Sequence, residues 1–241
     1  MLTQLPNLKR ETRYGLPDAD QILFNRHYVL GYSYYFRQAK WALEIVDKDR
    51  TDVSRLDNYR TDHRVPEKFR AENEVYVGSG YEKGHLVSSA NQIETEIQNS
   101  ETFLLSNMCP QKPTFNAGVW KRLETAVRKL DAKPEILETY VISGPLFYFD
   151  QEVIMMGENN VAVDVTLPIP HAFFKSILVE YKTGKIWMWS FIIPNKRTSK
   201  KITLFRVKTS LVEKISGMFL WETLVGTKMN SEKNKIHAMW R

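Results

Sequence analysis

The chain has 241 residues, of which 43% are hydrophobic and 12% aromatic, and its formal net charge is +6. This composition supports a sizeable core and excludes global disorder, while no apolar run approaches the ~18 residues of a membrane span and the first residues lack the apolar stretch of a signal peptide. The positive charge favours phosphate-rich partners without establishing them, and the single cysteine, Cys109, excludes an internal disulfide but leaves the compartment open.

The first half of the chain is predicted to place extended segments between long polar connections. Residues 28–46 are predicted to form a strand and turn, followed by a second apolar stretch. Residues 50–73 are almost all polar, and long polar loops within compact domains are often functional. Residues 80–91, GYEKGHLVSSAN, form the most polar and Gly-rich stretch and contain His85. A helical period then begins at Asn116, with an apolar stripe of Val119, Leu123, Val127 and Leu130.

The second half is predicted to form antiparallel strands, because β-branched and aromatic runs alternate there with turn residues. The predicted strands are 138–149, 160–167, 173–181 and 185–193, with a hairpin turn at YKTGK (181–185) and a last helix in 207–220. We therefore predict an α+β fold with a mixed, mainly antiparallel central sheet flanked by helices. One domain is expected over residues 1–241, with residues 1–12 as a flexible N-terminal segment. The sequence lacks P-loop, GxGxxG and CxxC motifs, which disfavours nucleotide-binding and structural-zinc folds.

Most histidines, and the cysteine, are best interpreted as structural or surface residues. The other four histidines are scattered, with no two at i and i+4: His27, His63, His171 and His237. Cys109 would need a partner histidine to act as a nucleophile, and pairing cannot be read from sequence. His85 differs because an acid, a base and a glycine precede it, and a histidine that acts as a base is expected to be exposed near its substrate.

The helix that begins at Asn116 places four residues along one side at four-residue spacing: Asn116, Trp120, Glu124 and Arg128. The simplest interpretation is a polar rim beside the apolar stripe. A straight helix separates Asn116 from Glu124 by about 12 Å, so the two side chains cannot bind one ion directly if the helix is straight. Asn116 as a ligand in the entry turn, with Glu124 acting through metal-bound water, would suit Mg²⁺, which prefers oxygen ligands and keeps several waters.

Short motifs in a fixed order extend over nearly the whole chain. The central ones are SGYEKGHL (79–86), LLSNMCPQ (104–111) and FNAGVWKRLE (115–124). Others match in the same order: YGLP (14–17), YVLGY (28–32), the spaced Arg55, Tyr59 and Asp62, YVISGPLF (140–147), IPHAFFKSIL (169–178) and SFIIPN (190–195). The series resembles the sGYDRGHL and SNxxPQ…N…W..LE signatures of the DNA/RNA non-specific endonucleases. This is the ββα-metal, or His-Me finger, family of Serratia-type and endonuclease G-like nucleases.

The resemblance implies a ββα-metal motif and a role for each matching residue. His85 would be the general base that activates water, Asn116 the direct Mg²⁺ ligand, and Glu124 the residue that holds metal-bound water. Three basic residues align with family members that contact phosphate: Arg55, Lys83 and Arg128. Glu82 would anchor neighbouring polar groups.

The signature departs from the family pattern at three places. Lys83 replaces the usual arginine, Glu82 replaces the usual aspartate, and LVSSAN (86–91) replaces the common LaPaad. Because the signs of the charges at 82 and 83 are retained, activity is expected.

The implied function is a Mg²⁺-dependent, sequence-non-specific endonuclease that leaves 5′-phosphate and 3′-hydroxyl ends, with Mn²⁺ or another divalent cation as a substitute. Its partner would be DNA and/or RNA, with no membrane. Family members are often dimers, so a homodimer is left open, as is an inhibitor protein. The family favours export (secreted or periplasmic) or an organelle.

Three other functions are weighed against this one. A nucleic-acid-binding homologue with impaired catalysis would not need His85, Asn116 and Glu124. A phosphodiesterase acting on small substrates would not need the +6 charge or the polar stretch 50–73. A purely structural protein would leave the ordered motifs unexplained.

Overall fold

The computed structural model describes residues 9–46, 53–157 and 166–240, and its strands and helices surround one large sheet. The strands are β1 (Gln21–Phe24), β2 (Tyr28–Ser33), β3 (Gln38–Ile45), β4 (Glu82–His85), β5 (Met108–Gln111), β6 (Ile136–Leu146), β7 (Met155–Met156), β8 (Leu167–Pro168), β9 (Ala172–Tyr181), β10 (Ile186–Pro194) and β11 (Arg206–Val207). The helices are α1 (Glu96–Glu101), α2 (Lys121–Asp131), α3 (Thr209–Ser216) and α4 (Thr227–Lys233). A π-helical turn, Phe115–Trp120, leads into α2.

The main sheet has seven strands in the order β1-β2-β3-β6-β9-β10-β11, and every pairing in it is antiparallel. Its central strands are buried on both faces, which explains their nearly continuous apolar sequences. One face packs against α2, whose buried residues belong to the same core cluster as Ile177 and Phe191. The other face packs against α3 through Val212 and against the segment that contains Trp221. The predicted α+β fold with a mainly antiparallel sheet is therefore confirmed.

A separate two-stranded ribbon, β4–β5, lies outside the main sheet and is followed by the π-helical turn and α2. This order gives the expected strand–strand–helix motif. The described part of the polar stretch, residues 53–73, has no named strand and forms one isolated bridge, from Arg60 to Leu104. The polar stretch therefore contributes side chains, rather than sheet structure, to the side of the molecule that carries the β4–β5 ribbon.

Several element boundaries differ from the sequence-based predictions. The strand predicted at 138–149 spans Ile136–Leu146, and the last helix is shorter, Thr209–Ser216. Of the strand predicted at 160–167, residues 160–165 lie outside the described residues, and Leu167–Pro168 pair with β7. Of the N-terminal segment 1–12, residues 1–8 also lie outside them, whereas Arg10–Tyr14 form a 3-10 turn.

The helix predicted from Asn116 is not regular at its start. Gly118 adopts φ −97° and ψ −110°, a conformation outside the helical region, and the regular helix begins at Lys121. Because Gly118 has no Cβ, this backbone conformation meets little steric cost. The condition of a straight helix between Asn116 and Glu124 is therefore not met, because Asn116 precedes the kink and Glu124 lies in α2.

Candidate active site

The β4–β5 ribbon sets the position of His85. In its register Glu82 lies opposite Gln111, Gly84 opposite Cys109, and His85 opposite Met108. A Cβ at Gly84 would overlap the side chain of Gln111, so the glycine leaves the room that this buried side chain occupies across the ribbon. The glycine of the EKGH sequence thus serves the strand pairing that presents His85.

The His85 side chain is enclosed by aromatic rings. The ring centres of Tyr59 and Phe103 lie 5.9 and 5.0 Å from that of His85, both edge-on, and Trp120 Nε1 donates to the His85 carbonyl at 3.3 Å. The expectation that His85 is exposed is wrong, because these rings leave it only 9% exposed. Among the described residues, its Nε2 atom has no hydrogen-bond partner. An unpartnered ring nitrogen is what a proton acceptor requires.

Burial also determines the charge of this imidazole. It lowers the His85 pKa to about 3, and the nearby Arg55 guanidinium contributes in the same direction. The ring is therefore neutral at neutral pH, and one of its nitrogens carries a free lone pair.

This pKa shift leads to a prediction about stability. In the unfolded chain the imidazole takes up a proton below about pH 6.5, whereas the folded protein does not until about pH 3, so acidification favours unfolding. The contribution of the neutral imidazole to the free energy of unfolding is complete above pH ~6.5. It falls as the pH is lowered, by at most about 1.4 kcal/mol per pH unit. Between pH 6.5 and 4, we expect the melting temperature of the wild type to fall more steeply than that of His85→Gln. Parallel melting curves in the two proteins would contradict the buried, neutral histidine.

Two cations lie beside the histidine and share a contact with Tyr59. Arg55 donates from Nη2 to the Tyr59 hydroxyl at 3.0 Å and from Nη1 to Ser89 Oγ at 3.0 Å. Lys83 places its Nζ 4.6 Å from the centre of the Tyr59 ring and donates to Asn73 Oδ1 at 3.0 Å. Both cations are therefore held in place near His85 rather than solvated freely, and Arg55 also pairs through Nε with Asp57 Oδ1 at 2.6 Å.

Asn116 is oriented by Glu82. The Asn116 Nδ2 group donates to Glu82 Oε2 at 2.8 Å, so the amide oxygen is turned away from the carboxylate. A cleft of about 450 Å³ opens at this point. It is lined by four of the predicted site residues, Arg55, Glu82, Lys83 and Asn116, together with Tyr59 and Asn73. The structure thus brings two of the three predicted phosphate-contacting cations and the predicted metal ligand to one cleft, and the buried His85 lies behind the Tyr59 ring rather than in the lining itself.

Glu124 and Arg128 lie on α2 and are not part of the cleft lining. Burial raises the Glu124 pKa, and the nearby Lys175, Arg128 and a hydrogen bond from Ser88 oppose that rise. Since Ser88 follows His85 by three residues, Glu124 lies beside the segment that follows the histidine, residues 86–91. Arg128 donates from Nη1 to Asn91 Oδ1 at 3.0 Å, at the end of this segment.

The donor set suits an ion that keeps most of its water. In residues 9–46, 53–157 and 166–240 there is no group of three or more His, Cys, Asp or Glu side chains placed to hold a metal. The donor at the cleft is the amide oxygen of Asn116, whose nitrogen is bonded to the Glu82 carboxylate, whereas the carboxylate of Glu124 lies outside the cleft lining. One or two protein oxygens completed by water is the coordination that Mg²⁺ prefers.

Of the residues interpreted as structural or surface residues, His171, His237 and Cys109 are packed in the structure, whereas His27 is half-buried and His63 exposed. His171 accepts at Nδ1 from the Tyr148 amide at 3.0 Å and stacks on the Tyr148 ring. His237 stacks on Trp187, and burial raises the pKa of the Cys109 thiol. The roles of Tyr59, Asn73 and Phe103 were not predicted. Tyr59 belongs to a matching motif, but nothing in the sequence points to Asn73 or Phe103.

Comparison with known proteins identifies the family. The family model for DNA/RNA non-specific endonucleases matches residues 9–226. The chain belongs to this family. Human mitochondrial endonuclease G is 34% identical over 221 residues, which cover 86% of this chain and 71% of that protein. Nuclease C1 of Cunninghamella echinulata var. echinulata is 32% identical over 231 residues, covering 91% of this chain and 90% of that protein.

A solved structure supports the same assignment. A chain of the EndoG/EndoGI complex, determined to explain EndoG inhibition, superposes with a TM-score of 0.82 at 29% identity and covers 93% of this chain and 95% of its own length. The protein is therefore a nuclease, and metal and nucleic-acid binding are consistent with the family. Among the described residues, no helix is both long and apolar enough to cross a membrane.

Proposed function

We propose that this family member is a Mg²⁺-dependent endonuclease that hydrolyses phosphodiester bonds of DNA and/or RNA and leaves 5′-phosphate and 3′-hydroxyl ends. The observation that carries the proposal is the cleft at which Arg55, Lys83 and Asn116 meet beside the neutral His85. These residues supply the three requirements of the reaction: a base, positive charge for the phosphate, and an oxygen ligand for a cation.

His85 is proposed to act as the general base. Its neutral imidazole accepts the proton of the attacking water at the unpartnered Nε2, while the Trp120 bond to its carbonyl fixes the backbone. The Tyr59 and Phe103 rings hold the imidazole plane and exclude bulk water from it.

Asn116 and Glu124 are proposed to hold the cation. Asn116 would bind through its amide oxygen, and Glu124 would act through water. When bound, Mg²⁺ supplies Lewis-acid stabilisation of the charge that develops on the leaving 3′ oxygen. Glu82 contributes by holding the amide nitrogen of Asn116, so that the amide oxygen remains available for the ion.

The lack of sequence preference has a physical basis in these residues. Contacts from arginine and lysine to phosphates position a nucleic acid but carry no base information directly. Arg55, Lys83 and Arg128 are proposed to make such contacts, so DNA and RNA are both expected substrates.

A plasmid-degradation assay tests the proposal. Nicking and degradation with Mg²⁺, abolished by EDTA, would support it, and end-labelling of the products would give the chemistry of the ends. Binding of plasmid without cleavage would favour the catalytically impaired homologue. Hydrolysis of bis(p-nitrophenyl) phosphate without plasmid cleavage would favour an enzyme for small substrates.

The compartment is proposed from the relatives. The endonuclease G proteins of Homo sapiens and Caenorhabditis elegans are named mitochondrial. We infer an organelle for this chain, and fractionation of the native host would test that location against export.

The departure at Lys83 gives a prediction of its own. Lysine offers a compact charge, whereas arginine offers a planar fork that can hold two phosphate oxygens. We expect Lys83→Ala to lower cleavage about 10- to 100-fold, equivalent to about 1.4–2.7 kcal/mol of transition-state stabilisation, and Lys83→Arg to retain or raise it. Initial rates at one low salt concentration measure both effects.

Lys68→Ala is a suitable control for the lysine at 83, because Lys68 is an exposed lysine that does not line the cleft. Full activity in Lys83→Ala would remove Lys83 from the site. A loss in Lys83→Arg would instead show that the pocket formed with Asn73 and Tyr59 accepts only lysine.

A further inference from the structure

A chain of buried polar side chains connects β3 with the guanidinium of Arg128. Asn91 Nδ2 donates to Glu44 Oε1 at 2.9 Å, and Asn91 Oδ1 accepts from Arg128 Nη1 at 3.0 Å. Glu44 is 1% exposed and Asn91 4%. Buried polar groups are costly unless they are hydrogen-bonded, so the geometry of these contacts is tightly constrained.

Glu44 determines the orientation of two neighbouring amides. Its second oxygen, Oε2, accepts from Gln92 Nε2 at 3.1 Å. Because an ionised carboxylate is only an acceptor, both amides turn their NH₂ groups towards it and their oxygens away. The oxygen of Gln92 then accepts from Gln98 Nε2 at 2.7 Å, and that of Asn91 faces Arg128.

Lys175 supports the ionised form of Glu44. It is buried beneath the network, donates to Ser143 Oγ at 2.6 Å, and interacts electrostatically with Glu44 and Glu124. Burial raises the Glu44 pKa to about 7, and Lys175 is the largest opposing influence. Above that pH the carboxylate predominates.

We propose that Glu44 and Asn91 are positioning residues that hold the Arg128 guanidinium ready for a substrate phosphate. This inference rests on the proposed function, in which Arg128 contacts phosphate. Thr125 Oγ1, one turn earlier on α2, accepts from Arg128 Nη2 at 3.1 Å, so both terminal nitrogens are fixed before substrate arrives. A guanidinium has five N–H donors, and the remaining ones are available to phosphate oxygens. A side chain ordered in advance loses less conformational freedom on binding.

The test measures binding of a labelled DNA duplex to His85→Ala protein in EDTA, at about pH 8.5, where Glu44 is ionised. Asn91→Ala and Arg128→Ala are combined in a double-mutant cycle, which isolates the coupling between the two residues. Gln92→Ala is the matched control, because Gln92 bonds the same carboxylate but does not contact Arg128. Thermal melting of each variant separates stability from binding.

We expect Asn91→Ala and Arg128→Ala each to weaken binding about three- to tenfold, as for loss of one hydrogen bond of typical net strength. The double variant is expected to bind no more weakly than Arg128→Ala alone. Both single variants should reduce the slope of log Kd against log salt concentration, by up to about one for Arg128→Ala. Gln92→Ala should leave both the affinity and the slope unchanged.

Additive losses in the double variant, equal losses in Asn91→Ala and Gln92→Ala, or no loss in Asn91→Ala would overturn the inference. Asn91→Ser, which retains a donor near Glu44 but is too short to bridge to Arg128, repeats the cycle if Asn91→Ala does not fold. DNA binding without coupling between Asn91 and Arg128 overturns only this inference. Failure of the His85→Ala protein to bind DNA at low salt would overturn the polymer substrate of the proposed function as well.

Discussion

The His85→Ala protein is expected to lose nearly all cleavage while it retains its affinity for nucleic acid. General-base catalysis contributes about 10²–10⁴-fold, and the loss should lie at the upper end where no other base can substitute. No second histidine contacts the His85 ring among the described residues; its ring neighbours are Tyr59 and Phe103. Single-turnover cleavage of plasmid, together with a binding isotherm, separates the two effects.

The control for this variant is His63→Ala, since His63 is exposed and does not line the cleft. His63→Ala should cleave at the wild-type rate. Removal of the imidazole also removes ring contacts, so circular dichroism and melting are recorded for both variants. Cleavage by folded His85→Ala within tenfold of the wild type would disprove the general-base role.

The fold was largely predictable because its sheet is built from long apolar strands. Runs such as those in β6, β9 and β10 are too apolar and β-branched to be anything but buried strands. The apolar stripe predicted from Val119 to Leu130 was also correct, because all four of its residues are buried, Val119 in the π-helical turn and the other three in α2. The irregular turn at Gly118 was not predictable, since helical periodicity describes which residues are buried and not where the backbone departs from helical angles.

The site was only partly predictable from the sequence. The ordered motifs select His85, Asn116 and the cations, but the contacts that hold them come from distant segments. Lys83 is held by Asn73, ten residues earlier, and the amide of Asn116 is held by Glu82, thirty-four residues earlier. Such pairings depend on how loops pack, and residue type alone does not specify them.

The buried charges beneath the site did leave a trace in the sequence. Glu44 stands within WALEIV (41–46) and Lys175 within FFKSILV (173–179), each as the single charge of that apolar run. Because an unpaired charge is rarely tolerated in a sheet core, two such strands indicate that their charges meet. The structure brings both residues beneath α2, where they lie beside Glu124.

The last prediction concerns Asn116, the proposed direct ligand. We expect Asn116→Ala to weaken divalent-cation binding and cleavage together, by at least about 100-fold. Even partners that only orient a metal ligand typically contribute 10–100-fold, and a direct ligand should contribute no less. Asn116→Asp keeps an oxygen at this position but replaces the donor to Glu82 by a second carboxylate. It should therefore retain cation binding and lose the side-chain orientation that the bond to Glu82 sets.

Mn²⁺ binding followed by electron paramagnetic resonance, without substrate, measures both variants independently of turnover. Asn230→Ala, an exposed asparagine on α4, is the matched control. An Asn116→Ala protein whose Mn²⁺ affinity and Mg²⁺ dependence match those of Asn230→Ala would assign the ligand role to another residue.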